Sequence, residues 1–262
     1  AHRVHGGVDL FDASSEQIEQ FGAAESALAD RRRLLGGGPQ GRVGVRHVTT
    51  VVRHYRGRMT TLHWADSRLE IHRVVVGSYD NNVFVLRCRE TGEAVLIDAA
   101  NEHEMLLELC TRLGVRRVLE THGHWDHIGA VAAMREAGYE VGVNSSDAPM
   151  LKDVGYDVFI DDAEVIEVGR LRLHAIHNPG HTPGSVSFLV DGAPLLFSGD
   201  TLFPGGPGAT KFEGGNFATI IDSIDNKLFT LPAHTIVMPG HGVSTTIGHE
   251  RPHLGEWVAR GW

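Results

Sequence analysis

The sequence predicts a layered α/β sandwich, on three observations. Short strand-like runs follow one another between turn signals from about residue 68 onward. Amphipathic helical segments interrupt them, and loops bearing His or Asp sit just past several of the runs. With 262 residues, 42% hydrophobic and 22% charged, the chain can bury one large core, with or without an extension.

The elements are justified in order. "SSEQIEQFGAAESALADRRRLL" opens with capping-type serines and sets Ile18, Phe21 and Leu28 at near-helical spacing, before "GGGPQG" breaks the chain. Residues 1–60 therefore read as a partly helical, amphipathic N-terminal extension, packed on the main domain or on a second subunit, with a flexible tail as the alternative. "LEIHRVVVG", "NVFVLRCRE" and "EAVLIDAA" read as strands separated by "SYDN" and "ETGE". "NEHEMLLELCTRLG" places Met105, Leu106, Leu109 and Leu113 on one helical face, with Gly114 as a stop. "VRRVLET" is the next strand, and "IGAVAAMREAG" a helix ending at Gly138. Residues 140–160 give no clear pattern. "AEVIEVG", "LRLHAIH", "SVSFLVDG" and "PLLFSGD" are further strands, "FATIIDSIDNKLF" a helix and "TIVMPG" a last strand.

Composition excludes several classes. No apolar run approaches the roughly 20 residues of a membrane-spanning helix, so no membrane partner is expected. The first residues lack the basic head and apolar stretch of a secretory signal, and Cys88 and Cys110 have no CxxC partner, so the cytoplasm is the expected compartment. Residues 1–60 hold nine Arg against six Asp or Glu, and the remainder 15 basic against 27 acidic residues. An acidic body repels a phosphate backbone, so nucleic acid is not an expected partner.

The informative stretch is "THGHWDH". His122 and His124 are two residues apart, so on an extended segment both rings project to one side and can share an ion. Asp126 and His127 follow where the chain bends, and can face a second ion nearby. Imidazole and carboxylate are the ligands of Zn, Fe and Mn sites. The plainer reading, loop histidines with Asp126 as a helix cap, does not explain three further groups. "NPGHTPGS" sets His181 after a strand, "LFSGDTLF" does so for Asp200, and "MPGHG" for His241. Together these are seven ligand-type groups, enough for two adjacent ions.

"THGHWDH", "PGHTPGS", "FSGDTLF" and "PGHG" resemble, in order, the successive motifs of the metallo-β-lactamase superfamily, from about residue 69 to 250. The resemblance implies an αββα four-layer sandwich over residues 61–262. It implies that His122, His124 and His181 hold one divalent metal and Asp126, His127 and His241 the other, with Asp200 bridging them beside a hydroxide. Zinc ranks first for both metals, with iron and manganese as alternatives. Asp98 matches an early strand-end aspartate of the family that is more often structural than a ligand. Asp200 favours the hydrolase branch over true β-lactamases, whose matching position is usually Cys or Ser.

"FPGGPGATKFEGGNF", "SIDNKLFTLP" and "TTIG" are similar to glyoxalase II (hydroxyacylglutathione hydrolase) and its short relatives. The chain ends soon after His241, where longer glyoxalase II enzymes continue into a helical region that grips glutathione, so glutathione specificity is not implied. The function expected is an enzyme, a metal-dependent thioester or ester hydrolase acting on a small molecule, with Asp126 and Asp200 as its catalytic carboxylates. The alternatives are a mononuclear Fe(II) persulfide dioxygenase-like enzyme, a lactonase, a processing ribonuclease (which the acidic charge disfavours) and a metal-binding scaffold without turnover. Tyr79, Asn82, Trp125, Lys211 and Asn216 are candidate substrate contacts, each with an ordinary turn or packing role as the rival. A homodimer is left open.

Overall fold

A computed structural model of the chain describes residues 61–261. The expected extension, with Ile18, Phe21 and Leu28, lies outside the described residues.

The first sheet runs in chain order: β1 (Leu62–Ala65), β2 (Leu69–Val76), β3 (Asn81–Cys88), β4 (Ala94–Ile97), β5 (Val115–Leu119), β6 (Glu140–Val143) and β7 (Val158–Phe159). Pairing is antiparallel as far as β4 and parallel from β4 to β7. The change follows from the connections, because tight turns join antiparallel strands and parallel neighbours need crossovers. Helix α1 (His103–Leu113) crosses from β4 to β5, and α2 (Val131–Glu136) from β5 to β6. Gly114 caps α1 at φ 79°, in the left-handed region that its sequence position anticipates.

The second sheet begins at its edge with β8 (Val165–Val168), followed by β9 (Leu171–His177), β10 (Val186–Val190) and β11 (Leu195–Gly199). Its remaining strands are β14 (Ile236–Pro239) and β15 (Thr245–Thr246), with β14 parallel to β11. Between β11 and β14 the chain forms a short hairpin, β12 (Leu202–Phe203) and β13 (Gly206–Pro207), and then α3 (Phe217–Asn226). Helices α4 (Ile247–Glu250) and α5 (Leu254–Arg260) follow β15.

Alternation along the strands builds four layers. Val83, Val85, Ala94 and Leu96 face outward and pack with Leu106, Leu109, Val131 and Met134 of α1 and α2. Leu189, Leu196 and Val237 face outward from the second sheet, onto Ile220 and Ile224 of α3 and Trp257 of α5. The intervening residues point between the sheets, where Phe84 meets Phe197 with ring centroids 5.2 Å apart. Every residue of β4, β10 and β11 is buried, as strands covered on both faces require. The αββα expectation is met.

Three local expectations differ from the structure. The helix expected over residues 128–138 is confined to Val131–Glu136. The preceding turn is tied down by Ala130 N donating to Ala99 O, and a Cβ at Gly129 would lie 2.5 Å from Ala100 O. The patternless stretch after residue 140 contains β6, a 3-10 turn at Ala148–Leu151 and β7. Strand β1 and helices α4 and α5 carry too short a period to stand out in the sequence. Among the described residues no helix is long and apolar enough to cross a membrane.

Candidate metal centre

One edge of the two sheets gathers the ends of five strands. Asp98 follows β4, the segment from Glu120 to His127 follows β5, and the loop with His181 joins β9 to β10. Asp200 follows β11, and His241 stands two residues past β14. Backbone pairing closes this edge: Asn82 N donates to Gly240 O at 2.7 Å, and Asn81 and His241 form an isolated bridge. All seven predicted ligand-type groups meet there. Three trios have ligand atoms within 4.8 Å of one another: His122, His124 and His181; His122, His127 and Asp200; and Asp126, His127 and His241.

The far nitrogens of four rings are committed. His127 Nδ1 donates to Asp98 Oδ2 at 2.9 Å, His181 Nδ1 to Ala209 O at 2.7 Å and His241 Nδ1 to Tyr79 O at 2.8 Å. Thr121 Oγ1 donates to Asp98 Oδ2 at 2.9 Å, which leaves its oxygen to accept from His122 Nδ1 at 3.0 Å. A proton held on Nδ1 leaves Nε2 with its lone pair, turned into the site. His124 instead turns Nδ1 inward, 2.8 Å from His181 Nε2. Asp200 spans the group: Oδ1 is 3.5 Å from His127 Nε2, and Oδ2 is 3.6 Å from His181 Nε2 and 3.5 Å from His241 Nε2.

The electrostatics divide the site in two. Burial, followed by the neighbouring rings, holds His122 well below the ordinary imidazole range and His124 at about 4. Burial also lowers His181, against the opposing pull of Asp200. On the other side burial is outweighed by carboxylates: Asp200 and Asp98 raise His127 to about 9, and Asp126 and Asp200 raise His241. Burial pushes Asp126 upward, but His241, His127 and Asn81 together hold it well below the usual carboxylate range.

These residues fit divalent cations. His122 Nε2 and Asp200 Oδ1 are buried with no hydrogen-bond partner, an arrangement that costs about 1–3 kcal/mol per group unless a cation takes up the lone pairs. The protons attracted to His127 and His241 mark where the carboxylates call for positive charge. A Cβ at Gly240 would lie 2.3 Å from Asp200 Oδ1 and 2.7 Å from His127 Cε1, so only glycine admits this packing.

The candidate substrate contacts divide. A cavity of about 870 Å³ opens over His124, Asp126, His181, Asp200 and His241, and Tyr79 and Trp125 line it. The other three are held by other partners. Asn82 is buried, donating to Pro239 O at 2.8 Å and Gly242 O at 3.0 Å and accepting from Arg73 Nε, so it fixes the His241 loop. Asn216 caps α3 by accepting from Thr219 N, and Lys211 Nζ stands over the Phe212 ring; neither lines the cavity.

Three residues that organise the site escaped the sequence reading. Asn81 Nδ2 donates to Asp126 Oδ2 at 3.0 Å. Asp147, fully buried, accepts from Gly123 N, Thr182 Oγ1 and Gly184 N, joining the two loops that carry His124 and His181. Thr121 links Asp98 to His122. Asn81 ends the turn-like "SYDN" and Asp147 lies in the stretch that gives no clear pattern, so neither carries a local signal.

Comparison with known proteins gives three concordant results. Residues 76–241 match the family model described as "Metallo-beta-lactamase superfamily". The chain is 32% identical to "Hydroxyacylglutathione hydrolase GloC" of Haemophilus influenzae, over 70% of this chain and 95% of the relative. Two solved structures are similar: a "BLEG-1 B3 metallo-beta-lactamase" (33% identity, TM-score 0.65, 70% of this chain and 97% of that one) and "TTHA1623 in a di-iron-bound form" (32% identity, TM-score 0.60, 68% and 96%).

Proposed function

The chain belongs to the metallo-beta-lactamase superfamily, and from that premise we propose that it is a binuclear metallo-hydrolase that cleaves a small acyl thioester or ester. The observation that carries this reading is the position of Asp200, whose oxygens lie 3.6 Å from His181, of the trio with His122 and His124, and 3.5 Å from both His127 and His241, of the trio with Asp126. His122, His124 and His181 would hold one ion, Asp126, His127 and His241 the second, and Asp200 both. The similarity to GloC supports the hydrolase, and the similarity to a di-iron-bound structure supports two ions. Zinc heads the candidate metals, with iron and manganese next.

Divalent ions bound there supply the charge that lowers the pKa of a water from about 15.7 towards 7 and favours negative charge on a carbonyl oxygen. The protein's own residues do the rest. Asp126 borders the cavity as a carboxylate, held by Asn81, and accepts the O–H of the attacking water. Thr121, Asp98, Ala209 O and Tyr79 O fix four imidazole rings, so the site needs little rearrangement as charge develops. A thiolate leaves without a proton and an alkoxide does not, which favours thioesters over esters.

His122→Ala and Asp200→Ala test this. Each is expected to lower thioester cleavage by on the order of 10³-fold while circular dichroism remains that of the folded protein. The panel includes an ester, a lactone and a β-lactam, the last because of the similarity to a B3 enzyme. Unchanged turnover in both variants would sink the proposal.

A further inference from the structure

The walls of the cavity are aromatic, and the chemistry of hydrolysis does not ask for that. Tyr79 is 57% exposed, Trp125 63% and Phe212 54%; three of the four exposed large aromatic side chains among the described residues line this one cavity. Apolar surface of this size left in water at a concave site is the mark of a ligand surface.

Each aromatic is fastened to the metal centre. Trp125 stands between His124 and Asp126 in the chain, and its ring meets Tyr79 edge to face at 4.9 Å. Tyr79 O receives the Nδ1 proton of His241, and the Phe212 ring packs edge-on against His124 at 5.7 Å. Phe203 and Met150 extend the same walls. A group touching these rings would therefore lie close to the residues that would hold the metals. Among the described residues, the charged side chains that line the cavity apart from the ligand-type groups are Arg260 and Glu213. A zwitterionic tripeptide carrier would find few partners here, whereas a phenyl or branched alkyl group would be enclosed.

Resting on the hydrolase reading above, we propose that the cavity is a subsite for an aryl or bulky alkyl group carried directly on the scissile thioester or ester, gripped by Tyr79, Trp125 and Phe212. The substrate class is thus an apolar-substituted thioester or ester.

Two measurements on the zinc-loaded protein test this. Calorimetric titration is expected to show phenylacetate binding about tenfold or more tighter than acetate, a preference reduced in Trp125→Ala and Tyr79→Ala. In turnover, kcat/KM is compared for the phenylacetyl and acetyl thioesters of N-acetylcysteamine, the acetyl thioester of benzyl mercaptan, and lactoylglutathione. A preference of about tenfold for an aryl substrate, falling towards unity in the two variants, supports the subsite, and the better aryl substrate tells whether it serves the acyl or the thiol side. Selective phenylacetate binding without turnover of any substrate would support the subsite and refute the hydrolase. Phenylacetate binding no tighter than acetate, a preference unchanged in both variants, or lactoylglutathione as the best substrate would overturn it.

Discussion

Thr121 joins Asp98 to His122: its hydroxyl donates to Asp98 Oδ2 at 2.9 Å and its oxygen lies 3.0 Å from His122 Nδ1. Asp98 also receives the Nδ1 proton of His127, so one buried carboxylate orients rings that belong to both proposed metal positions. Thr121→Val keeps the shape and removes the link. We expect about a 10–100-fold loss of affinity for the first ion, read by competition with a chelator, with the fold retained. Unchanged affinity would remove Thr121 from the account.

The fold was legible wherever a run was long or its period clean. Strands β2 to β5 and helix α1 announced themselves because Leu106, Leu109 and Leu113 repeat at helical spacing and the strands are bounded by turn residues. The ligand-type residues were legible because His122, His124, Asp126 and His127 are close in sequence. Apart from Asp98, the residues that orient them were not. Asn81 and His241 are 160 positions apart, and nothing local relates them before the two sheets meet. The setting of Asn82 was hidden for the same reason, since a turn asparagine in the sequence is a buried donor to Pro239 O and Gly242 O in the fold.

The two halves of the centre should respond differently to pH. His124 sits at about 4, so between pH 6 and 8 a metal entering the first trio meets little competition from protons at that ring. His127 is raised to about 9, so the second ion must displace its proton. The sign is fixed: affinity at the second position rises with pH up to about 9, by about tenfold per unit from the His127 proton alone, while the first stays nearly flat. Metal titrations at pH 6, 7 and 8, with proton release recorded, check this; equal slopes at both positions would contradict it.

The same shift bears on the metal-free protein. A folded-state pKa above the ordinary 6.5 means that His127 contributes stability that is complete below about 6.5 and is lost as pH rises through about 9. Denaturant melts of the apoprotein should therefore show this contribution at pH 6 and not at pH 9.5. No difference traceable to His127, judged against His127→Gln, would refute the assignment.

Gly240→Ala should disable the centre from the backbone side. The added methyl cannot coexist with Asp200 Oδ1 at 2.3 Å, so Asp200 or the His241 loop must move. We expect loss of the second ion in metal analysis, with the first retained.

The seam between the sheets gives a stability test independent of metal. Phe197 is 1% exposed and meets Phe84 across it, so Phe197→Ala should cost about 3–5 kcal/mol in chemical denaturation. A loss below about 1 kcal/mol would mean that the sheets do not pack through this contact.

The central claim is a two-ion hydrolytic centre, and its most direct test is metal content measured together with activity on one sample purified without added metal. The account predicts about two ions per chain, with thioester cleavage that falls as they are removed and returns as they are restored. One iron per chain with persulfide-dependent oxygen uptake and no hydrolysis would contradict it.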